Sequence, residues 1–318
     1  MERDDAKLGD SILGFRSRMS SLRMSAAKFW LGLRKKYRSD PEAFRRTAKT
    51  RTYPTIPALP RALHALTKVE ERKVAGRAVF NLTPRQRASG WHLIYAHGGA
   101  YVNEFILPHW RIIESLIRHT GASVTVPIYP LAPEFTHRDA YPFLTEVYRQ
   151  VLATTPATQV ALCGDSAGGG LALGQTFHFR DLGLPLPGRL ILFSPWLDLA
   201  MTNPGIPAIE PRDVMLSTAR LLEAGQWWAG GDDLSIPTLS PIHGDLRGLP
   251  PIDVFQGTDD LFILDARELR GKVEAVGGSI RLYEYPGAFH VFVGATFTPE
   301  ARDAFRKVAH GLGSSHRE

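Results

Sequence analysis

The chain has 318 residues, 44% of them hydrophobic and 22% charged, with a net charge of +6 and one cysteine. One cysteine excludes an internal disulfide, and nothing in its setting suggests a thiol enzyme or a metal cluster. The size allows one large α/β domain or two small ones, with a substantial core. No apolar run is long enough to span a membrane, and Met1–Asp10 is charged with mixed sign, unlike a secretory signal, so a cytoplasmic protein is expected.

The first fifty residues carry all of the excess charge, with 13 Arg and Lys against 6 Asp and Glu. Between Ser17 and Ser39 the spacing is helical. Leu22, Ala26, Phe29, Trp30 and Leu33 recur at steps of three and four, with Arg23, Lys28, Arg34 and Lys35 mostly off that stripe. Such a basic, amphipathic helix either packs its stripe on the main domain, the commoner fate, or lies on a membrane surface. Asp40-Pro41-Glu42 reads as a second helix start, with Asp40 as N-cap. Arg51–Arg61, punctuated by Pro54, Pro57 and Pro60, reads as a linker.

Val69–Phe80 and Trp91–Ala96 are strand-like. His97-Gly98-Gly99-Ala100-Tyr101 follows, where adjacent glycines let the backbone turn and expose N–H groups. A helix is expected over Trp110–Arg118, a strand over Ser123–Tyr129 and a helix over Tyr141–Leu152. The apolar run Val160–Cys163 then breaks into Gly164-Asp165-Ser166-Ala167-Gly168 before Leu171–Leu173. Gly-x-Ser-x-Gly between a strand and a helix signals a nucleophile elbow. Cys163 lies in the strand and reads as core. Strand Leu190–Phe193 comes next, then a Pro-, Trp- and Gly-rich excursion, Leu199–Leu239. Strand Ile252–Gly257 ends at Asp259-Asp260, helix Ala266–Ala275 follows, and strand Ile280–Tyr285 leads into Gly287-Ala288-Phe289-His290. This alternation specifies an α/β fold with a mainly parallel sheet covered on both faces. Ligands of such sheets lie beyond the carboxyl ends of the strands. Ser166, Asp259/Asp260, His290 and the His97-Gly98-Gly99 turn are therefore expected on one edge.

A serine hydroxyl needs a base to become a nucleophile. His290 can take its proton and return it to the leaving group, and a carboxylate can hold the imidazole. Asp259, Asp260 and Asp265 all lie near the end of one strand; Asp260 is preferred, Asp259 comes second, and Asp265 also suits a helix start. N–H groups of Gly98, Gly99 and Ala167 are the candidate oxyanion donors. His97 is expected to brace its loop. His92, His109, His119 and His137 show no partner pattern and are read as structural.

The order Ser…Asp…His, with these motifs, resembles the α/β-hydrolase fold and, more narrowly, the hormone-sensitive-lipase-like (bacterial family IV) esterases. His97–Tyr101 is similar to that family's His-Gly-Gly-Gly motif, with Ala100 at the third glycine. Gly164–Gly169 matches its nucleophile motif. Tyr129–Glu134 resembles its Tyr-Arg-Leu-Ala-Pro-Glu segment, with Pro130 in place of arginine. Gly257–Leu261 resembles its acid turn, where the acid falls three residues after the glycine and so at Asp260. Gly287–His290 resembles its histidine loop. The resemblance covers roughly residues 65–312.

It implies a catalytic core over 56–198 and 240–318, with N-terminal cap helices over 1–55 and a cap insertion over 199–239. Tyr101, Trp196, Trp227, Trp228, Phe29 and Trp30 become candidates to line the substrate pocket. The implied activity is that of a serine carboxylesterase on short- to medium-chain esters through an acyl-enzyme, with no cofactor and no metal. An amidase, deacetylase or lactonase would use the same residues. A non-catalytic receptor on this fold would lack the histidine that His290 supplies. The expected partner is a small ester. No nucleic-acid motif is present; a membrane surface met by the basic helix and a second copy of the chain stay open.

Overall fold

The computed structural model describes residues 20–38, 41–50 and 56–313. Asp40, Pro54 and the side chains of Arg34 and Lys35 lie outside what is described.

Helices α1 (Leu22–Arg38), α2 (Pro41–Lys49) and α3 (Arg61–Leu66) precede the sheet. Its strands are β1 (Thr67–Val74), β2 (Arg77–Pro84), β3 (His92–Ala96), β4 (Ser123–Pro127), β5 (Val160–Asp165), β6 (Arg189–Phe193), β7 (Ile252–Gly257) and β8 (Ile280–Tyr285). They lie in the order β1-β2-β4-β3-β5-β6-β7-β8. β1, β2 and β4 pair antiparallel, and every other pairing is parallel. Between them run α4 (Leu107–Thr120), α5 (His137–Leu152), α6 (Ala167–Asp181), α7 (Ile206–Ile209), α8 (Thr218–Ala229) and α9 (Ile263–Ala275), and α10 (Pro299–Gly311) closes the described chain. β5 and β7 are buried at every position, as strands covered on both faces must be. α6, made of small and apolar residues over Ala167–Gly174, is buried along most of its length.

Two expectations change. Val69–Phe80 is not one strand but the hairpin β1–β2. Ala75 and Gly76 adopt φ of 46° and 79°, the left-handed pair that a tight two-residue turn requires.

The second correction concerns α1. Its stripe does not pack on the domain: Leu22 is 89% exposed, Phe29 65%, Trp30 66% and Leu33 53%. The helix docks by another face. Met24 is fully buried, and Ala27 and Leu31 pack against the same core. These slimmer side chains, also at helical spacing, let α1 approach closely. Polar ties fix that choice. The Ser21 N–H and hydroxyl donate to Glu300 at 2.6 and 2.9 Å, Arg23 donates to the Phe297 carbonyl at 3.2 Å, and Lys28 pairs with Asp259.

Candidate active site

Ser166 sits between β5 and α6 with φ 51° and ψ −121°, a region that non-glycine residues rarely occupy. The turn is this sharp because helix and strand nearly touch. A Cβ on Gly168 would lie 2.0 Å from the Ala96 carbonyl oxygen, and one on Gly164 would lie 2.4 Å from Gly168. Glycine at both places lets the serine be lifted off the strand end at a helix N-terminus.

His290 follows β8 and is buried. Its Nδ1 lies 2.9 Å from Asp260 Oδ2, and Asp260 is fully buried after β7. The carboxylate fixes the tautomer: Nδ1–H donates to Asp260, which leaves Nε2 as the basic nitrogen. Burial disfavours a charged imidazole. The Asp260 charge and its hydrogen bond, with Asp213 and Asp165 behind them, outweigh that and hold His290 above its ordinary value. Asp260 is further held by the Phe262 N–H at 3.0 Å.

The two other acid candidates turn elsewhere. Asp259 pairs with Lys28 and lies 3.9 Å from Arg212. Asp265 is buried and accepts a bond from Asn203 at 3.3 Å. Burial, then the charges of Asp198 and Glu268, push its carboxyl up to about 7. An acid raised in the folded state costs stability as pH climbs from its unfolded value to its folded one, and the cost is complete above about pH 7. Asp265→Asn is therefore expected to stabilise the fold by on the order of 2 kcal/mol at pH 8. Denaturant titration at pH 8 and near pH 4 checks this: the gain should vanish at the lower pH.

Ser166 and His290 open on one cavity of about 810 Å³, whose wall also includes Gly99 and Ala100. Ser166 Oγ makes no hydrogen bond among the described residues; such contacts are often loose before substrate binds. Ala27, Trp30 and Phe44 from the N-terminal helices and Met215, Leu216 and Leu221 from the 199–239 excursion form much of the apolar wall.

The oxyanion candidates need one correction. The Gly98 N–H already donates to Asp165 Oδ1 at 2.9 Å, so it is not available to an oxyanion. The N–H groups of Gly99, Ala100 and Ala167 make no hydrogen bond among the described residues. Asp165 explains the arrangement. It is buried, accepts from the Tyr95 hydroxyl and from Gly98, and lies 3.6 Å from His109 Nε2. Burial opposes its charge, but His109 and these bonds hold its carboxyl below the ordinary range. One carboxylate thereby links the end of β5 to the turn after β3. His109, read from the sequence as structural, belongs to this cluster and lines the cavity. His97 braces its loop as expected. Its Nδ1–H donates to the Gly98 carbonyl at 2.7 Å, its ring stacks on Tyr129, and burial followed by neighbouring His109 keeps it neutral, pushed down to about 3.

Tyr101 and Trp196 do not line the cavity. Ala100 and Tyr101 have φ of 54° and 62°, which turns the Tyr101 ring inward. It stacks on Trp228 at 4.4 Å and on Trp196 at 5.6 Å, and all three rings are buried. Trp227 stacks on Phe44. Phe29 points outward, and of the proposed pocket aromatics only Trp30 reaches the cavity.

Sequence reasoning also passed over Asp213. Its Oδ1 accepts the N–H groups of Met215 and Leu216 at 2.7 and 2.8 Å, and its Oδ2 accepts that of Leu261 at 2.9 Å. It ties the 199–239 excursion to the turn that carries Asp260. Burial, then the Asp260 charge, raises its carboxyl.

A family model described as the alpha/beta hydrolase fold matches residues 93–294. An acetyl-hydrolase of Streptomyces hygroscopicus is 35% identical over 207 residues, 65% of this chain and 69% of its own length. The esterase EstE5, in a crystal soaked with p-nitrophenyl butyrate, shares the fold with a TM-score of 0.79 and 26% identity, covering 92% of this chain and 98% of its own. A hormone-sensitive lipase from a metagenome library matches with a TM-score of 0.74 and 26% identity, covering 86% and 98%.

Proposed function

Because the chain belongs to the α/β-hydrolase fold family, among its hormone-sensitive-lipase-like esterases, we propose that it is a serine carboxylesterase acting through an acyl-enzyme. Ser166 Oγ attacks the ester carbonyl carbon while His290 Nε2 takes the hydroxyl proton. Asp260 holds the imidazolium that forms. The N–H groups of Gly99, Ala100 and Ala167 receive the oxyanion, and each well-aimed donor is worth about 3 kcal/mol. His290 returns its proton to the alcohol as the carbon–oxygen bond breaks. Water, deprotonated by the same nitrogen, then frees the acid and restores Ser166.

The observation that carries this reading is a buried histidine, bonded through Nδ1 to a buried aspartate and opening on the cavity that Ser166 lines. A largely apolar cavity of about 810 Å³ has room for a short- to medium-chain acyl group. The same proposal assigns 1–55 and 199–239 to a cap and the remainder to the catalytic core. It is supported by the cavity wall, which both cap segments supply.

Hydrolysis of para-nitrophenyl esters from acetate to palmitate tests the proposal, with kcat/KM expected to peak at a short or medium chain. The base must be neutral and its ordinary value is raised, so the acid limb of kcat/KM should have its midpoint above pH 6.5. A midpoint well below pH 6.5, or no turnover of any ester by folded protein, would refute it.

A further inference from the structure

Among the described residues, seven of the nine large exposed apolar side chains fall on three segments; the other two, Leu182 and Val276, stand singly at the ends of α6 and α9. Leu22, Phe29, Trp30 and Leu33 project from α1, Ile106 and Leu107 lie at the start of α4, and Phe297 precedes α10. Trp30, Ile106 and Phe297 also line the cavity that holds Ser166 and His290. The bond from Arg23 to the Phe297 carbonyl brings α1 alongside that rim. Together they make an apolar collar continuous with the cavity mouth. A contiguous exposed patch of this kind marks a contact surface, whereas single exposed residues do not.

The charge on α1 selects the occupant. The helix carries Arg23, Lys28, Arg34, Lys35, Lys36 and Arg38 and no Asp or Glu. Lys28 pairs with Asp259 and Arg23 reaches the Phe297 carbonyl; by sequence, Arg34, Lys35, Lys36 and Arg38 add four more cations to the helix whose exposed face bears Phe, Trp and Leu. A cationic helix with aromatic and aliphatic residues on its outer face is the form that lies in a lipid headgroup layer. Two copies meeting through this face would bring two basic helices together. An anionic surface meets the same helix with attraction. No described helix is long and apolar enough to cross a membrane.

We propose that the collar docks on an anionic lipid surface, with α1 in the headgroup plane and the cavity mouth facing the lipid. Substrate would then enter from the lipid side.

The test is co-sedimentation of the full chain with phosphatidylcholine vesicles with and without phosphatidylglycerol. Binding is expected to the anionic vesicles, to weaken as NaCl rises from about 0.05 M to about 0.5 M, and to be poor on phosphatidylcholine alone. The triple substitution Leu22→Ser, Phe29→Ser, Leu33→Ser touches no cavity residue. It should cut partitioning at least about tenfold, since burying even one such side chain is worth that factor. Hydrolysis of a soluble acetate ester by the triple variant should match the parent, which separates lost docking from lost folding. Absence of binding to anionic vesicles at low salt, or equal binding by the triple variant, would overturn the proposal. So would a parent dimer that the triple variant converts to monomer, which would make the collar a subunit interface.

Discussion

Ser166→Ala is expected to lower kcat for ester hydrolysis by about a million-fold, the loss typical of removing a nucleophile whose partners cannot act alone. The fold should not respond. Ser166 Oγ has no hydrogen-bond partner among the described residues, and alanine meets the same backbone constraint at φ 51° as serine does. Near-ultraviolet circular dichroism and the melting temperature should therefore match the parent, and binding of a slow substrate should persist. Kinetics at high enzyme concentration, with burst titration of the parent, would read the loss. Residual activity within tenfold of the parent would remove Ser166 from the mechanism.

The second large effect separates two adjacent carboxylates. Asp260→Asn should reduce kcat by roughly 10⁴-fold, because an amide can present the wrong group to Nδ1 and favour the wrong tautomer. It should also draw the surviving activity's acid limb to lower pH, since the charge that raises His290 is gone. Asp259→Asn should change kcat less than about tenfold. Its carboxylate is turned toward Lys28 and Arg212, and partly exposed pairs of that kind contribute about 1 kcal/mol or less. Parallel pH–rate profiles of the two variants decide the matter. The opposite ranking would make Asp259 the acid.

Much of the architecture was legible because it depends on order along the chain. Strand–helix alternation from Trp91 onward, with motifs placed just after strands, predicts that Ser166, Asp260 and His290 share one sheet edge, and each does follow its strand in the structure. What sequence does not carry is which side of an element faces in. The stripe Leu22–Leu33 and the inward set Met24, Ala27 and Leu31 both have helical spacing. Glu300 and Asp259, far away in sequence, decide between them. The same holds at Gly98: its glycine is visible in the motif, but the Asp165 carboxylate that takes its N–H is not, since the two lie 67 residues apart in the chain. Tyr101 reads as a pocket residue until the positive φ of Ala100 and Tyr101 turns it toward Trp228.

The Asp213 bridge has a consequence for anyone wishing to redesign the substrate range. It joins the 199–239 excursion to the acid turn through main-chain N–H groups of Met215, Leu216 and Leu261. Side chains at 215 and 216, which face the cavity, are therefore interchangeable parts: a library varying them reshapes the pocket while the girder that steadies Asp260 stays in place. Trp30 and Phe44, from the N-terminal helices, line the same cavity and offer further positions to vary. Chemistry and selectivity are thus editable apart from one another, provided Asp213 itself is left alone.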